Sequence, residues 1–444
     1  MRISRAAIPL ILIALIASGC ISSGEHSDSV AVPGYTAATD IYKEISPSIV
    51  YIDTPTGTGS GIYIEGGYIL TCAHVPWPFT TVRVVFPNGA EYQIDVLSSD
   101  PMADLAVLGP VSASAPVLSL SSSDDLNIGD TVFIIGYPGE DDEYPQPSLS
   151  QGLVSRLRQW DAEDITYIQT DAVTAGGASG GALVSGYSEV IGMIGFTYSD
   201  VFGLGASAED IAPRVDGLIA GEDVSGLGNR DLPLYGGATA QQATLKHRLD
   251  TRIFIINEPE GTPVDIEGSS DNDIALYLID AGGYMLAEAD EGLTGSESLS
   301  ADTEYDAPYF LVVRQFDDSE ARVKLSSSCD LIPLDDVDDG QSIEAGQTIY
   351  GNIDCPGDWD YFSIDLSAFE TVTITVDSIA IDAYVEVGST ELVEGAGWND
   401  DDSGGGLFGT DSELEFTAPQ SGTYYISVSD YSDEWAGGYI LSVE

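Results

Sequence analysis

The stretch that decides the fold is residues 176–183, which read GGASGGAL. Ser179 lies between glycines on both sides, and glycines let the backbone turn so that N–H groups converge on an oxyanion. Residues 70–75 read LTCAHV and residues 100–108 read DPMADLAVL, which bring in His74 and Asp104. A serine hydroxyl becomes a nucleophile when an imidazole takes its proton and a carboxylate orients that imidazole. The three stretches together therefore predict a nucleophilic serine site.

The local frames support this assignment. His74 follows a predicted β-hairpin over residues 61–70, and Asp104 opens the apolar strand of residues 105–108. The chain order His, Asp, Ser is that of the double β-barrel proteases. We predict Ser179 as nucleophile, His74 as general base and Asp104 as its orienting carboxylate. The backbone amides of Gly177 and Ser179 are the predicted oxyanion hole, and no metal is expected there.

Residues 40–221 resemble a trypsin-like serine protease of the HtrA (Deg) type. The resemblance extends beyond the three motifs to SPSIVYI at residues 46–52, GTGSG at 57–61, QTDA at 169–172 and VIGMIG at 190–195. It implies a mostly β fold with a double β-barrel, and a serine endopeptidase acting on exported or misfolded proteins and peptides.

Two features bear on activity and specificity within this resemblance. Ala178 replaces the polar residue that commonly precedes the nucleophile, and the glycine pair 176–177 suggests a hypothesis in which the oxyanion hole is not formed at rest. Val173, six residues before Ser179, is predicted to lie near the base of the primary specificity pocket. An apolar base offers no partner for a Lys or Arg side chain, which predicts cleavage after small or medium aliphatic residues.

The N-terminus predicts export. Arg2 and Arg5 precede an uncharged apolar run over residues 6–17, which suits a signal-peptide core. The run continues into ASGC, which resembles a lipobox with Cys20 as the lipid-modified residue. We expect a lipoprotein signal peptide over 1–20, a tether over 21–39 and a lipid anchor at the cell surface or envelope. An ordinary cleaved signal peptide is the alternative.

The charge balance is strongly acidic. Lys plus Arg number 14 against 73 Asp plus Glu, a formal net charge of −59. Such a chain does not bind nucleic acid through phosphate contacts. Salt screens self-repulsion, which favours a saline setting over the alternative of an acidic exterior with no salt requirement. The oligomeric state stays open.

Cysteine is rare in this chain, with four residues in all. Cys72, two residues before His74, is predicted to pack as a small apolar side chain. In an exported chain Cys329 and Cys355 are predicted to form a disulfide, with two free thiols as the alternative.

The C-terminal half is predicted to hold two β-sandwich modules, over 240–328 and 336–444, after a linker over 222–239. Residues 274–278 and 309–313 recur in the same order as residues 383–387 and 424–428, which indicates an internal repeat. The later copy resembles the bacterial pre-peptidase C-terminal domain through GNI, DWDYF, NDD, GTYY and GGY, at residues 351–353, 358–362, 399–401, 422–425 and 437–439.

The resemblance implies noncatalytic appendages, and the earlier copy is the more divergent. No cofactor is required, although the acidic turns near residues 290–292 and 399–402 are candidates for Ca²⁺ through oxygen ligands. Solvated loops in an acidic chain are the alternative reading, and the one we favour.

A rival function from another class is a catalytically silent surface or adhesion protein built on a protease scaffold. The presence of His74, Asp104 and Ser179 together favours the enzyme. Activity is then expected to fall as pH drops through about 6.5, where a free imidazole is protonated.

Overall fold

The computed structural model describes residues 35–444 except 140–144, 199–200, 228–231, 249, 291–294, 306, 318, 390–391 and 400–408. The predicted signal peptide with Cys20, and most of the predicted tether, therefore lie outside the described residues. Among the helices described, none has the length and apolarity needed to cross a membrane.

The first barrel is closed by six short strands preceded by one helix. Its strands carry continuous apolar runs, such as Ile49–Ile52, in which all four side chains are buried. The helix directs Ile41 and Ile45 into the same core. The order around the barrel is β1-β2-β3-β6-β5-β4. The elements are α1 Ala38–Ile45, β1 Ile49–Thr54, β2 Gly57–Tyr63, β3 Ile69–Thr71, β4 Thr81–Val85, β5 Glu91–Asp100 and β6 Leu105–Leu108.

The second barrel repeats this plan, and a helix follows it. Its order is β10-β11-β12-β9-β8-β7, and one apolar core continues from the first barrel into it. The helix is capped by Gly221, whose φ of 75° is left-handed and suits glycine. The elements are β7 Thr131–Gly136, β8 Ser148–Trp160, β9 Ile165–Thr170, β10 Ala182–Ser185, β11 Val190–Tyr198, β12 Phe202–Ser207 and α2 Ala208–Ala220.

A first module of eight strands follows, with β13 already beginning inside the predicted linker. The strand order is β17-β16-β19-β14-β20-β15-β18, and β13 also pairs with β20. The long strand β20 pairs with β13 and β15 along most of its length and with β14 at Ile332 and Pro333, so it joins the two faces. The elements are β13 Ala238–Leu245, β14 Thr251–Glu258, β15 Pro263–Ser270, β16 Ile274–Asp280, β17 Met285–Ala289, β18 Gly295–Asp302, β19 Ala307–Gln315 and β20 Ala321–Pro333.

The second module is a sandwich of two separate sheets. Their orders are β21-β23-β28-β25-β26 and β22-β29-β24-β27. The fold class predicted from the sequence, a double barrel followed by two β-sandwich modules, is confirmed. The elements are β21 Gln341–Ser342, β22 Gln347–Ile353, β23 Trp359–Leu366, β24 Thr371–Asp377, β25 Ala383–Ser389, β26 Leu392–Asn399, β27 Ser412–Thr417, β28 Gly422–Asp430 and β29 Gly437–Val443.

The two modules share one topology, as the internal repeat indicates. The order β14-β19-β16-β17 corresponds to β23-β28-β25-β26, and β13-β20-β15-β18 corresponds to β22-β29-β24-β27. Even a side-chain contact recurs: the hydroxyl of Tyr309 donates to the carbonyl of Tyr305, and that of Tyr424 donates to the carbonyl of Gln420. The tips of the two acidic turns, 291–294 and 400–408, lie outside the described residues.

The predicted disulfide is corrected by the structure, in which Cys329 and Cys355 are free and buried. Cys329 belongs to the core of the first module, whereas Cys355 packs in a different apolar cluster with Phe310. Burial raises the pKa of both thiols. Both cysteines therefore behave as small apolar side chains, a role that neither their number nor the predicted export revealed.

Candidate active site

His74 and Asp104 form a close pair between two strands of the first barrel. Nδ1 of His74 lies 2.9 Å from Oδ2 and 3.0 Å from Oδ1 of Asp104. The backbone N–H of His74 also donates to Oδ1 at 3.0 Å. One carboxylate therefore fixes both the ring and the backbone of the histidine, as an orienting carboxylate must.

The surroundings of the pair raise the pKa of His74. The Asp104 side chain is 6% exposed and the His74 side chain 37% exposed. Burial lowers the pKa of His74, but the charge and hydrogen bond of Asp104 raise it by more, so the pKa stands above its ordinary 6.5. Asp104 itself has a φ of 51°, a left-handed backbone that is uncommon for a residue other than glycine.

The Ser179 loop, residues 176–181, turns at positions that require glycine. Gly177 and Gly180 have φ of 89° and 83°. A Cβ on Gly180 would lie 2.1 Å from the carbonyl oxygen of Ser60, and one on Gly177 would lie 2.5 Å from that of Tyr137. The glycine-rich frame of the nucleophile is thus a packing requirement as well as a conformational one.

Ser60 ties this loop to the first barrel, a role that the sequence analysis missed. Its Oγ donates to the carbonyl of Gly177 at 2.7 Å, and its N–H donates to the carbonyl of Ser179 at 2.8 Å. Thr71, three residues before His74, donates its hydroxyl to the carbonyl of Ser60 at 2.7 Å. The run GTGSG was noted for its glycines, but its serine ties the Ser179 loop to the first barrel.

Ser179 and Asp104 both lie close to Gly195 of β11. The hydroxyl of Ser179 donates to the carbonyl of Gly195 at 3.3 Å. A Cβ on Gly195 would lie 3.7 Å from Oδ2 of Asp104. Among the described residues no hydrogen bond joins His74 to Ser179. In protease sites this bond is often formed only once substrate is bound.

The predicted oxyanion hole consists of amides that the described structure leaves without a backbone or side-chain acceptor. Neighbouring amides of the loop are engaged: Ala178 donates to Ala175 at 3.0 Å and Gly180 to Ile194 at 2.7 Å. The N–H groups of Gly177 and Ser179 have no such acceptor within the described part of the chain. Amides without an acceptor are what an oxyanion hole requires, and the assignment of these two stays a prediction.

Two neighbours of the catalytic residues are packing residues. Ala178 is 1% exposed and belongs to the core of the second barrel, which leaves no room there for a longer polar side chain. Cys72 is fully buried, and burial followed by the charge of Asp104 raises the pKa of its thiol well above the ordinary value. Cys72 is therefore a poor nucleophile.

Val173 is the residue predicted for the specificity pocket. The structure leaves 76% of this residue exposed, and its carbonyl accepts a hydrogen bond from Ser150 at 2.6 Å. The position of Val173 near the base of the primary specificity pocket therefore stays a prediction, and the structure leaves this residue on an open surface. The spacing from Ser179 gives the position of Val173 along the chain, but it does not reveal how exposed the side chain is.

A second group of ionisable residues, the acidic cluster, lies at the entry to the second module. It comprises Asp336, Asp338, Asp354, Asp358 and Asp360. Carboxylate oxygens of Asp336, Asp358 and Asp360 lie within 4.8 Å of one another, as do those of Asp336, Asp338 and Asp354. Burial and then the charge of Asp358 raise the pKa of Asp336 to about 10, and burial raises the pKa values of Asp358 and Asp360.

Two oxygens of this region lack hydrogen-bond partners among the described residues. Oδ1 of Asp360 and Oδ1 of Asn352 are buried and unpartnered. Asn352 is 5% exposed. Its side-chain amide donates to Asp354 at 2.7 Å and its backbone N–H donates to Asp338 at 2.6 Å, which holds Asn352 against the acidic cluster. These hard oxygen donors are the ligand type that Ca²⁺ and similar cations prefer.

Comparison with known protein families identifies two parts of the chain. The trypsin-like peptidase domain matches residues 59–193, a range that contains His74, Asp104 and Ser179. The bacterial pre-peptidase C-terminal domain matches residues 358–430.

Curated relatives agree with the first match. Serine protease HTRA1 of Xenopus tropicalis is 33% identical over 178 residues, which cover 36% of this chain and 38% of the relative. Serine protease HTRA4 of Homo sapiens is 32% identical over 288 residues, 58% of this chain and 60% of the relative. The predicted resemblance to HtrA-type proteases with a C-terminal pre-peptidase domain is confirmed. The chain nevertheless spans less than two thirds of the length of these relatives.

Among solved structures, the HtrA-type protease AlgW with tripeptide is 27% identical. The match has a TM-score of 0.38 and covers 42% of this chain and 65% of that one.

Proposed function

We propose that this chain, with its trypsin-like peptidase domain, is a serine endopeptidase that hydrolyses peptide bonds through Ser179, His74 and Asp104. Ser179 attacks the substrate carbonyl carbon while His74 accepts its proton, and His74 then returns that proton to the leaving amine. Asp104 orients His74 and stabilises its protonated form. The amides of Gly177 and Ser179 bind the oxyanion.

The pair of His74 and Asp104 is the observation that carries this proposal. A carboxylate that is nearly inaccessible to solvent and held at 2.9 Å from a half-exposed imidazole leaves the other ring nitrogen available to a nucleophile. A silent binding scaffold has no need for this pair or for a serine on a glycine-framed turn beside it. The geometry therefore favours the enzyme over an adhesion protein.

Casein hydrolysis at several salt concentrations, beside Ser179→Ala, tests the proposal. We expect activity in the wild type, loss in the variant and labelling of Ser179 by a fluorophosphonate. Ala182→Gly, a small change in the strand after the loop, is a control for general damage. Absence of both hydrolysis and labelling in the wild type would support the silent scaffold.

The hypothesis that the oxyanion hole is not formed at rest has its own test. Labelling of the resting chain by an active-site phosphonate is expected to be slow and to accelerate with peptide substrates. Labelling of the resting chain at the full rate would contradict the hypothesis that the oxyanion hole is not formed at rest. A single missing oxyanion donor costs on the order of 10²–10³ in rate, so the difference is measurable.

Preference for small or medium aliphatic residues at the cleavage site is proposed on the absence of charge at Val173. Its exposure means that the subsite is open, so the preference should be moderate. Val173→Asp is expected to raise cleavage after Arg and Lys in a peptide library. Preferred cleavage after Arg by the wild type would contradict the proposal.

Export and lipid anchoring through Cys20 are proposed on the N-terminal sequence. Palmitate labelling of the wild type, absent in Cys20→Ser, is the expected outcome. An unmodified mature N-terminus would instead indicate an ordinary cleaved signal peptide.

A second function, binding of a divalent cation, is proposed for the acidic cluster rather than for the acidic turns. The buried, unpartnered oxygens of Asp360 and Asn352 support it, and the cation would supply charge neutralisation with no part in the chemistry at Ser179. Calorimetry with Ca²⁺ is expected to show binding that Asp360→Asn loses. The exposed Glu415→Gln serves as control, and absence of heat in the wild type would exclude the site for Ca²⁺.

A further inference from the structure

The loops that carry His74 and Asp104 each contact a different C-terminal module. The first contact joins Trp77 to β19 of the first module, and the second joins Met102 to β29 of the second module. Both contacts lie within three residues of a predicted catalytic side chain.

Trp77 lies in the turn that presents His74. Its N–H donates to the carbonyl of Ala73 at 3.3 Å, which closes a turn around His74. Its indole stacks on the ring of Phe310, with ring centroids 5.8 Å apart and planes 12° apart. Phe310 is fully buried, so this ring forms a fixed surface for the loop.

The sheet that carries Phe310 is apolar on both faces. In β19 the side chains of Tyr309, Leu311 and Val313 fill the sandwich core, whereas those of Phe310 and Val312 point the other way. All five are fully buried. Strands buried on both faces read as continuous apolar runs, and their outer face needs a cover. The residues that cover it are Trp77, Leu232, Leu234, Leu334 and Cys355.

Met102 lies in the loop that presents Asp104. The carboxylate of Asp100 accepts the N–H of Met102 at 3.0 Å, and the Met102 side chain is fully buried. A Cβ on Gly438 would lie 2.3 Å from the Met102 sulfur, so the glycine allows the strand to approach. Gly438 also donates its N–H to the carbonyl of Pro101 at 3.4 Å.

Apolar packing extends this second contact. Ile379 and Ile440 of the second module belong to the same buried cluster as the barrels. The Ser179 loop, by contrast, is held from within the barrels by Ser60. Support from the C-terminal half is therefore directed at the base and its carboxylate rather than at the nucleophile loop.

We propose that the two modules hold the His74–Asp104 pair in its working geometry, with Trp77 and Met102 as positioning residues at the two contacts. This inference rests on the proposed endopeptidase function. A displacement of about 1 Å at a catalytic group can cost on the order of 10²-fold in rate, so a small shift of either loop has a measurable effect.

Fluorophosphonate labelling of Ser179 in the full chain, followed as a function of pH, tests the proposal. Trp77→Ala removes the first contact and Trp77→Phe keeps an aromatic ring on Phe310. Gly438→Val pushes on Met102, whereas Gly388→Val in the same module has open space around it and serves as matched control.

We expect Trp77→Ala and Gly438→Val to label about 10-fold to 10²-fold more slowly, with Trp77→Phe and Gly388→Val within about threefold of wild type. For Gly438→Val the acid limb of the rate profile should also move to lower pH. The reason is that Asp104 raises the pKa of His74 and a displaced Asp104 raises it less. A purely structural loss would lower the active fraction and leave that limb in place.

Wild-type rates and profiles in folded Trp77→Ala and Gly438→Val would overturn the positioning role and leave the endopeptidase intact. Failure of the wild type to label would instead remove the proposed function. If Trp77→Ala does not fold, Phe310→Leu keeps the apolar contact without the stacked ring and is measured against the same expectations.

Discussion

Buried carboxylates are treated differently in the two halves of the chain. In the barrels, Asp104 pairs with His74 at 2.9 Å and the fully buried Asp100 pairs with Arg214 at 2.8 Å. At the entry to the second module, no ion pair to Asp336, Asp358 or Asp360 occurs among the described residues, and nearby Arg252 pairs with Asp250 and Asp339. The barrels neutralise their buried charge internally, whereas the acidic cluster has no ion-pair partner among the described residues, which is the reason for the proposed cation site.

The largest effect is expected from Asp104→Asn, which keeps the shape of the pair and removes its charge. By analogy with orienting carboxylates in serine proteases, kcat should fall by a factor on the order of 10⁴. Without the carboxylate the pKa of His74 should also fall, so the residual activity should persist to lower pH than in wild type. Steady-state kinetics across pH measures both, and an unchanged kcat would remove Asp104 from the mechanism.

Arg214→Met and Asp360→Asn should change stability in opposite directions when divalent cations are chelated. Arg214→Met leaves Asp100 buried without its partner and should lower the free energy of unfolding by about 3 kcal/mol. Asp360→Asn removes a buried carboxyl group that has no ion-pair partner among the described residues, and it should raise the free energy of unfolding by about 1 kcal/mol. Denaturant unfolding in EDTA checks both signs.

In excess Ca²⁺ the wild type should instead be more stable than Asp360→Asn, because a cation that binds only the folded state stabilises the protein that binds it. A destabilised Asp360→Asn in EDTA would contradict the idea that the acidic cluster carries uncompensated charge.

A last prediction concerns the pH dependence of stability at His247, which lies between the rings of Tyr361 and Tyr425 with ring centroids 4.2 Å and 4.5 Å away. Burial lowers its pKa to about 4. Because the folded state favours the neutral ring, this contribution is complete above about pH 6.5 and is lost as pH falls towards 4. The loss amounts to roughly 3 kcal/mol at its largest. Stability against pH for wild type and His247→Phe should diverge within that window, and parallel curves would contradict the assignment.

The predicted catalytic residues rest on local signals in the sequence. His74, Asp104 and Ser179 each carry a frame within a few residues, and Gly177 and Gly180 adopt the left-handed conformation that their frame suggested. The internal repeat was predictable for the same reason, since strand patterns are read within short windows.

Other features depend on contacts distant in sequence. Ser60 reaches Gly177 across 117 positions. The exposure of Val173 and the separation of Cys329 from Cys355 are set by how whole strands pack. The acidic cluster did leave a signal, DDVDD at residues 335–339 followed by DWD at 358–360. Its meaning requires the fold, because only the fold brings those two segments together and buries them.

The covered outer face of the first module has a consequence for how such a chain is inherited and engineered. Phe310 and Val312 would meet water if the module were transplanted to another enzyme without the His74 loop and the segment around Leu232 and Leu234. Exposed apolar sheet surface of this kind promotes aggregation. The first module therefore cannot be moved alone to another enzyme. Recombination between chains of this architecture should give folded protein only where the barrels and the module are exchanged together.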